Sequence, residues 1–189
     1  MFMGAEIHGT TLGIVGMGRI GRAIARRAGG FSMPVVYHNR QRLPVELEAG
    51  ARYLGLSELL CAADHVVLVV PYSPAVHHLI DADALARMKR TAVLVNIARG
   101  GVVDDAALVA ALRNGRLAAA GLDVYENEPA LHPGLLELEN VVLTPHIASS
   151  TRATRAAMAN LAIGNLRAAL AGDRPPCLLN PEVMQNRRR

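Results

Sequence analysis

These 189 residues predict an α/β domain: a parallel sheet wound with helices on both faces. Three observations lead there. Short apolar runs alternate with segments of helical period, the order of repeated βαβ units. Several runs are almost unbroken in Val, Ile and Leu, as in strands covered on both faces. A glycine-spaced turn, Gly16-Met17-Gly18-Arg19-Ile20-Gly21, joins the first run to the first helix.

The strands are expected at 12–16, 34–38, 66–70, 93–97, 118–123 and 141–144, each too short for a helix. The first, third and fourth read as buried on both faces. Helices are expected at 19–28, 57–62, 81–88, 104–114 and 150–171. Ser57 reads as an N-cap and Asp81 as an acidic cap. Asp104 and Asp105 charge the start of the fourth helix, Gly115 stops it, and Gly172 closes the longest. Lys89 and Arg90 read as a helix-end charge pair. Residues 173–189 hold three prolines and no period, so a loop or strap is expected. The division is a nucleotide-binding domain over 1–149 and a helix with tail over 150–189.

Bulk properties narrow the function. The net charge is +4, and three of the 20 basic residues are Arg187, Arg188 and Arg189 at the very end. A solvated surface with a basic tail is expected, not a nucleic-acid site. The two cysteines, Cys61 and Cys177, form neither a C-x-x-C motif nor a disulfide framework, which suits a reducing, cytoplasmic setting. No basic segment followed by an apolar run opens residues 1–9, and no apolar stretch is long enough to span a membrane.

The glycine turn carries the first chemistry. Gly16 permits a tight turn, Gly18 lets backbone approach a pyrophosphate, and Gly21 lets helix and sheet pack closely. The helix start then offers free N–H groups and a partial positive charge to the anion. Arg19 and Ile20, inside the turn, are counted with the cofactor-binding residues. This is the dinucleotide turn of a Rossmann-type fold. An NAD-binding strand end usually carries Asp or Glu for the ribose hydroxyls. Here the second strand ends Tyr37-His38-Asn39-Arg40-Gln41-Arg42, without a carboxylate. Guanidinium binds a 2′-phosphate where a carboxylate would repel it. NADP(H) is therefore expected as the preferred cofactor, with Arg40 the main phosphate contact, Asn39 beside it, and NAD(H) the secondary partner.

Three segments at later strand ends carry reactive groups: Val95-Asn96-Ile97-Ala98-Arg99-Gly100-Gly101, Gly121-Leu122-Asp123-Val124-Tyr125-Glu126-Asn127-Glu128-Pro129, and Thr144-Pro145-His146-Ile147-Ala148-Ser149-Ser150. Ligands of a doubly wound sheet bind outside the carboxyl ends of its strands, so Arg99, Glu128 and His146 should meet in one crevice. Arg99 can hold a carboxylate and polarise the neighbouring carbonyl. His146 can protonate the carbonyl oxygen as hydride arrives, and Glu128 can fix the imidazole tautomer and favour its charge. His77 and His78 are adjacent, do not share a helix face, and are expected to bind no metal.

With glycine turn, Arg segment, Glu-Pro segment and His segment in order, nearly the whole chain resembles the D-2-hydroxyacid dehydrogenases. The likeness is strongest to their glyoxylate/hydroxypyruvate reductase and 2-ketogluconate reductase branch. It implies a small 2-oxo acid substrate, Arg99, Glu128 and His146 as catalytic residues, and Asp123 at the nicotinamide carboxamide. It also implies Val70, Pro71 and Ile97 lining the cofactor, Ser149 near the nicotinamide end, and a homodimer. The family's substrate domain is not found in these residues. The alternative to a reductase is thus a truncated module that binds NADP(H) without turnover.

Overall fold

The computed structural model describes residues 4–186. The expectation of no leader falls partly outside them, and the basic tail of Arg187, Arg188 and Arg189 wholly outside. The chain divides into two compact units, one ending at His146 and the other beginning at Ile147, just before the boundary expected from sequence.

Among the described residues the first unit holds seven strands: β1 (Leu12–Val15), β2 (Val35–His38), β3 (Arg52–Tyr53), β4 (His65–Leu68), β5 (Val93–Asn96), β6 (Ala119–Leu122) and β7 (Val141–Leu143). Its helices are α1 (Arg19–Ala28), α2 (Leu56–Ala62), α3 (Ala82–Arg87) and α4 (Asp105–Arg113). The strand order is β3-β2-β1-β4-β5-β6-β7, and every pairing is parallel. Chain direction across the sheet reverses between β1 and β4. That switch point, at the carboxyl ends of the strands, is where a doubly wound sheet opens a crevice.

Two apolar clusters hold the layers together. Leu59, Leu60, Leu85, Leu94, Leu108, Leu112 and Leu122 join α2, α3 and α4 to the sheet. Ile14, Met17, Ala25, Ala28, Tyr37 and Val67 join α1 to it. Each fully buried Leu or Ile contributes about 1.5–3 kcal/mol of transfer free energy. On α1 the inward face is Gly21, Ala25 and Ala28, one helical stripe of small residues that draws the axis close to the strands.

Some local expectations need correction. Strand β3 was not foreseen: it is a two-residue edge pairing, Val36 with Arg52 and Tyr37 with Tyr53, too short to show a period. Helix α2 is capped by Gly55 and not by Ser57; the Glu58 carboxylate accepts the Gly55 N–H at 3.0 Å. Leu56 packs against the core and pulls the first turn toward the N-terminus. Lys89 lies past the end of α3 and pairs with Asp64 at 2.7 Å, so it is no helix-end charge. Strand β5 is not buried on both faces: Leu94 and Asn96 are buried while Val93 and Val95 are half-buried.

Other cap expectations hold. The Asp81 and Asp104 carboxylates accept the N–H groups of Ala84 and Ala107, at 2.8 and 2.9 Å. In the second unit, α5 (Arg152–Ala171) is capped by Thr151, one residue after the expected start; its hydroxyl accepts the Thr154 N–H at 3.1 Å. Gly172 ends α5 in the left-handed conformation at φ 87°. The tail returns to α5 through the Cys177 N–H, which donates to Asn165 Oδ1 at 2.9 Å, and then forms a 3-10 stretch, Pro181–Asn186. No helix among the described residues is long and apolar enough to cross a membrane.

Candidate functional site

The glycine turn lies where the topology requires. Gly16 has φ 105°, and a Cβ on it would press on the backbone of Val69 and Val70 at 2.8–2.9 Å. The exit of β4, with Val70 and Pro71 following, is thereby packed against the turn. A Cβ on Gly21 would overlap the carbonyl oxygen of Gly16. At Gly18, by contrast, a Cβ would meet no protein atom within 4 Å, so the backbone faces open space at the start of α1. Arg19 and Ile20 are exposed there, Ile20 at 62%.

The end of β2 is bound to this turn. Asn39 Oδ1 accepts the N–H of Met17 at 2.7 Å. Its neighbours Arg40 and Arg42 separate into two roles. Arg42 is committed inward: it pairs with Glu48 at 2.7 Å, and Glu48 also accepts the Tyr37 hydroxyl at 2.8 Å. Hydrogen bonds from Arg42 and then Tyr37 hold the Glu48 carboxyl below its ordinary value. Arg40 is exposed beside the Asn39 brace.

The reactive residues follow β5, β6 and β7, which are neighbours in the sheet. Asn96 is 1% exposed and latches the first segment: Oδ1 accepts the Ala98 N–H at 3.0 Å and Nδ2 donates to the Arg99 carbonyl at 3.1 Å. Ile97 is half-buried beside it, and Arg99 Nη1 donates to the Ala98 carbonyl at 2.6 Å. Asp123 is buried at the end of β6 and accepts the Thr144 hydroxyl at 2.6 Å, tying β6 to β7. The Tyr125 hydroxyl strengthens that tie through the Thr144 carbonyl at 2.8 Å.

His146 and Glu128 meet directly, Nδ1 to Oε2 at 2.8 Å. The other Glu128 oxygen accepts the N–H of Tyr125 at 3.0 Å. Burial alone would raise the Glu128 acid. The hydrogen bonds from His146 and Tyr125, with the positive charges of His146 and Arg99, outweigh it and hold the carboxyl below its ordinary value. His146 keeps a left-handed backbone, φ 53°, which costs a non-glycine residue about 1–2 kcal/mol. Arg99 and Glu128 line one open crevice of about 530 Å³, together with Tyr72, His77, Tyr125 and Glu126. Ser149 belongs to the second unit, where its carbonyl accepts the Thr151 N–H at 3.1 Å.

Sequence reading missed the groups beneath this crevice. His78 and Glu126, far apart in the chain, pair at 2.6 Å, and buried Asp105 accepts the Glu126 N–H at 3.1 Å. Only Asn96, a polar residue inside a buried apolar run, left a readable signal. Donor atoms of His77, His78 and Glu126 lie within 4.8 Å of one another. The two imidazoles, however, are stacked, with centroids 3.9 Å apart and planes 23° from parallel.

Comparison with known proteins agrees with this geometry. Residues 1–148 match the family described as D-isomer specific 2-hydroxyacid dehydrogenase, NAD binding domain. A glyoxylate reductase of Thermococcus onnurineus is 54% identical over 189 residues, which is 100% of this chain and 57% of that protein. A glyoxylate/hydroxypyruvate reductase B of Klebsiella pneumoniae is 49% identical over 185 residues, 96% of this chain and 57% of that one. The solved NADPH-dependent glyoxylate/hydroxypyruvate reductase of Sinorhizobium meliloti, in complex with NADP and malonate, superposes with a TM-score of 0.80 at 43% identity. That likeness covers 85% of this chain and 50% of the solved one. The chain thus spans little more than half the length of the curated relatives it matches.

Proposed function

Because the chain belongs to the D-isomer specific 2-hydroxyacid dehydrogenases, as their NAD-binding domain, we propose that it serves a reductase of small 2-oxo acids. Glyoxylate, hydroxypyruvate and 2-ketogluconate are the candidate substrates. The observation that carries the reading is the His146–Glu128 pair at the rim where Arg99 opens into the same crevice.

Each residue has a task fitted to its surroundings. Arg99 holds the substrate carboxylate and draws electron density from the adjacent carbonyl. His146 presents a proton to the carbonyl oxygen through Nε2, because Nδ1 is taken by Glu128. Glu128 keeps that tautomer and stabilises the imidazolium. The dinucleotide, when bound, supplies the hydride. Its pyrophosphate fits at Gly18, where the backbone faces open space and the N–H groups of α1 converge. Val70, Pro71 and Ile97 offer apolar and backbone contacts beside it, and Asp123 an acceptor for the carboxamide.

NADP(H) is the preferred dinucleotide in this proposal. Arg40 is exposed at the strand end and Arg42 is already paired. Arg40→Ala should weaken NADPH binding by about tenfold, ~1.4 kcal/mol, and leave NADH nearly unchanged. Equal losses for both cofactors would refute the phosphate contact. The setting proposed is cytoplasmic and the assembly a homodimer. Met158, Leu161, Ile163 and Leu166 of α5 are each at least half exposed, and light scattering at rising concentration tests whether they self-associate.

The deciding assay follows NADPH oxidation with each 2-oxo acid. Turnover lost in His146→Ala supports the reductase. Tight NADPH binding without turnover would make these residues a binding module instead.

A further inference from the structure

We propose that Glu126 is a positioning residue, clamped between His78 and Asp105 so that the turn after β6 aims Glu128 at His146. The proposal rests on the reading of Glu128 and His146 as the proton-handling pair.

Glu128 is not held by packing; its side chain is 34% exposed. Its direction therefore depends on bonds, and one of its two oxygens is bonded to the Tyr125 N–H. Tyr125 joins that N–H to the next peptide, Tyr125–Glu126, so what holds Glu126 and its N–H also holds the backbone to which Glu128 is bonded. Tyr125 and Glu126 are gripped from three separate stretches of chain. The Glu126 N–H donates to Asp105 Oδ2 at 3.1 Å, in the first turn of α4. The Glu126 carboxylate pairs with His78 Nε2 at 2.6 Å, in the loop before α3. The backbone of Gly100, next to Arg99, lies so close that a Cβ there would overlap the Tyr125 carbonyl.

Neither the Asp105 grip nor the His78 grip is explained by local structure. Asp104 already caps α4, yet Asp105 is carried to 4% exposure, where burial pushes its carboxyl above the ordinary value. A helix start needing only negative charge would leave that carboxylate in water. His78 holds a left-handed backbone, φ 49°, fixed by its N–H to the Gly101 carbonyl at 2.8 Å. Both residues bear a cost, and both converge on one amino acid.

The test uses the 189-residue chain without ligand and reads the titration of the Glu128 carboxyl by ¹³C NMR. Four variants are compared: Glu126→Ala, Glu126→Gln, Asp105→Ala and Asp105→Asn. All remove a negative charge near Glu128, and charge removal by itself lowers the Glu128 midpoint. Gln and Asn keep an acceptor for His78 and for the Glu126 N–H; Ala keeps none. The expected result is an upward shift toward the ordinary carboxylate range in the two Ala variants only. A fall, or no change, in the Ala variants would overturn the proposal. If Asp105→Ala does not fold, Glu126→Ala decides, because the Glu126 side chain is only partly buried and its loss opens no core. A wild-type Glu128 that titrates in the ordinary range would instead remove the His146–Glu128 pairing itself.

Discussion

Gly100→Ala is the most incisive single change the structure offers. A methyl group built there lands on the carbonyl carbon and oxygen of Tyr125 and beside the Glu126 nitrogen. Carbon atoms in good contact sit ~3.5–4.0 Å apart, so one of the two backbones must retreat by more than an ångström. Neither is free to do so. Gly100 opens a 3-10 turn whose carbonyl accepts the Val103 N–H at 3.0 Å, and the opposing peptide is tied to Asp105. Overpacking in a core costs ~1–3 kcal/mol, and an obstacle made of backbone belongs at the top of that range. At ~2–4 °C per kcal/mol for a chain of this size, the melting temperature should fall by ~6–12 °C. The readout is thermal unfolding by circular dichroism, checked by calorimetry. A variant that melts within ~1 °C of its parent would refute the close approach and with it the coupling of the Arg99 and Glu128 segments.

Two further outcomes are expected. Gly18→Ala should leave unfolding within ~0.5 kcal/mol of wild type, since no atom lies near its Cβ, but should weaken NADP(H) binding by tenfold or more in a fluorescence titration; undiminished binding would remove the pyrophosphate from this turn. Acid should destabilise the fold through Glu48 and Asp64, whose carboxyls are lowered first by hydrogen bonds from Arg42 and Lys89 respectively. Folded values below the unfolded ones mean stability fully present above the ordinary carboxylate range and lost as pH falls through the depressed values. Glu48→Gln should flatten that acid limb in urea unfolding at stepped pH, and an unchanged limb would count against the Arg42–Glu48 pair.

What could be read from the chain, and what could not, divides by distance along it. Strands such as Leu12–Val15, and His65–Leu68 from Val66 onward, declare themselves by unbroken apolar runs, and the caps at Asp81 and Asp104 by a side chain acting three residues away. The glycine turn is equally local, and so is its expected partner strand. The meeting of His146 with Glu128 was inferable only because strand ends share one edge of the sheet. His78 with Glu126 had no such guide: 48 residues separate them, and the adjacent histidines carry no sign of a carboxylate partner. Asp105 was hidden by its neighbour. Two acidic residues at a helix start look alike until the fold leaves one to cap the helix and buries the other under a turn. Arg40 was named in sequence as the phosphate contact, but the task of Arg42 became readable only from the position of Glu48.

Under the proposed cofactor reading, the Asn39–Met17 hydrogen bond makes dinucleotide choice and diphosphate docking share a hinge pin. Any redesign that replaces Asn39 by an apolar residue to retune the adenosine end would loosen the loop at the other end as well. An amide-to-acid exchange is different: Asn39→Asp retains the oxygen that accepts the Met17 N–H while bringing the charge that ribose hydroxyls favour. If Arg40 holds the 2′-phosphate as proposed, the route from a phosphate-accepting to a phosphate-rejecting site is thus a single step that keeps the Met17 hydrogen bond. The ratio of NADH to NADPH affinities in that variant measures it directly.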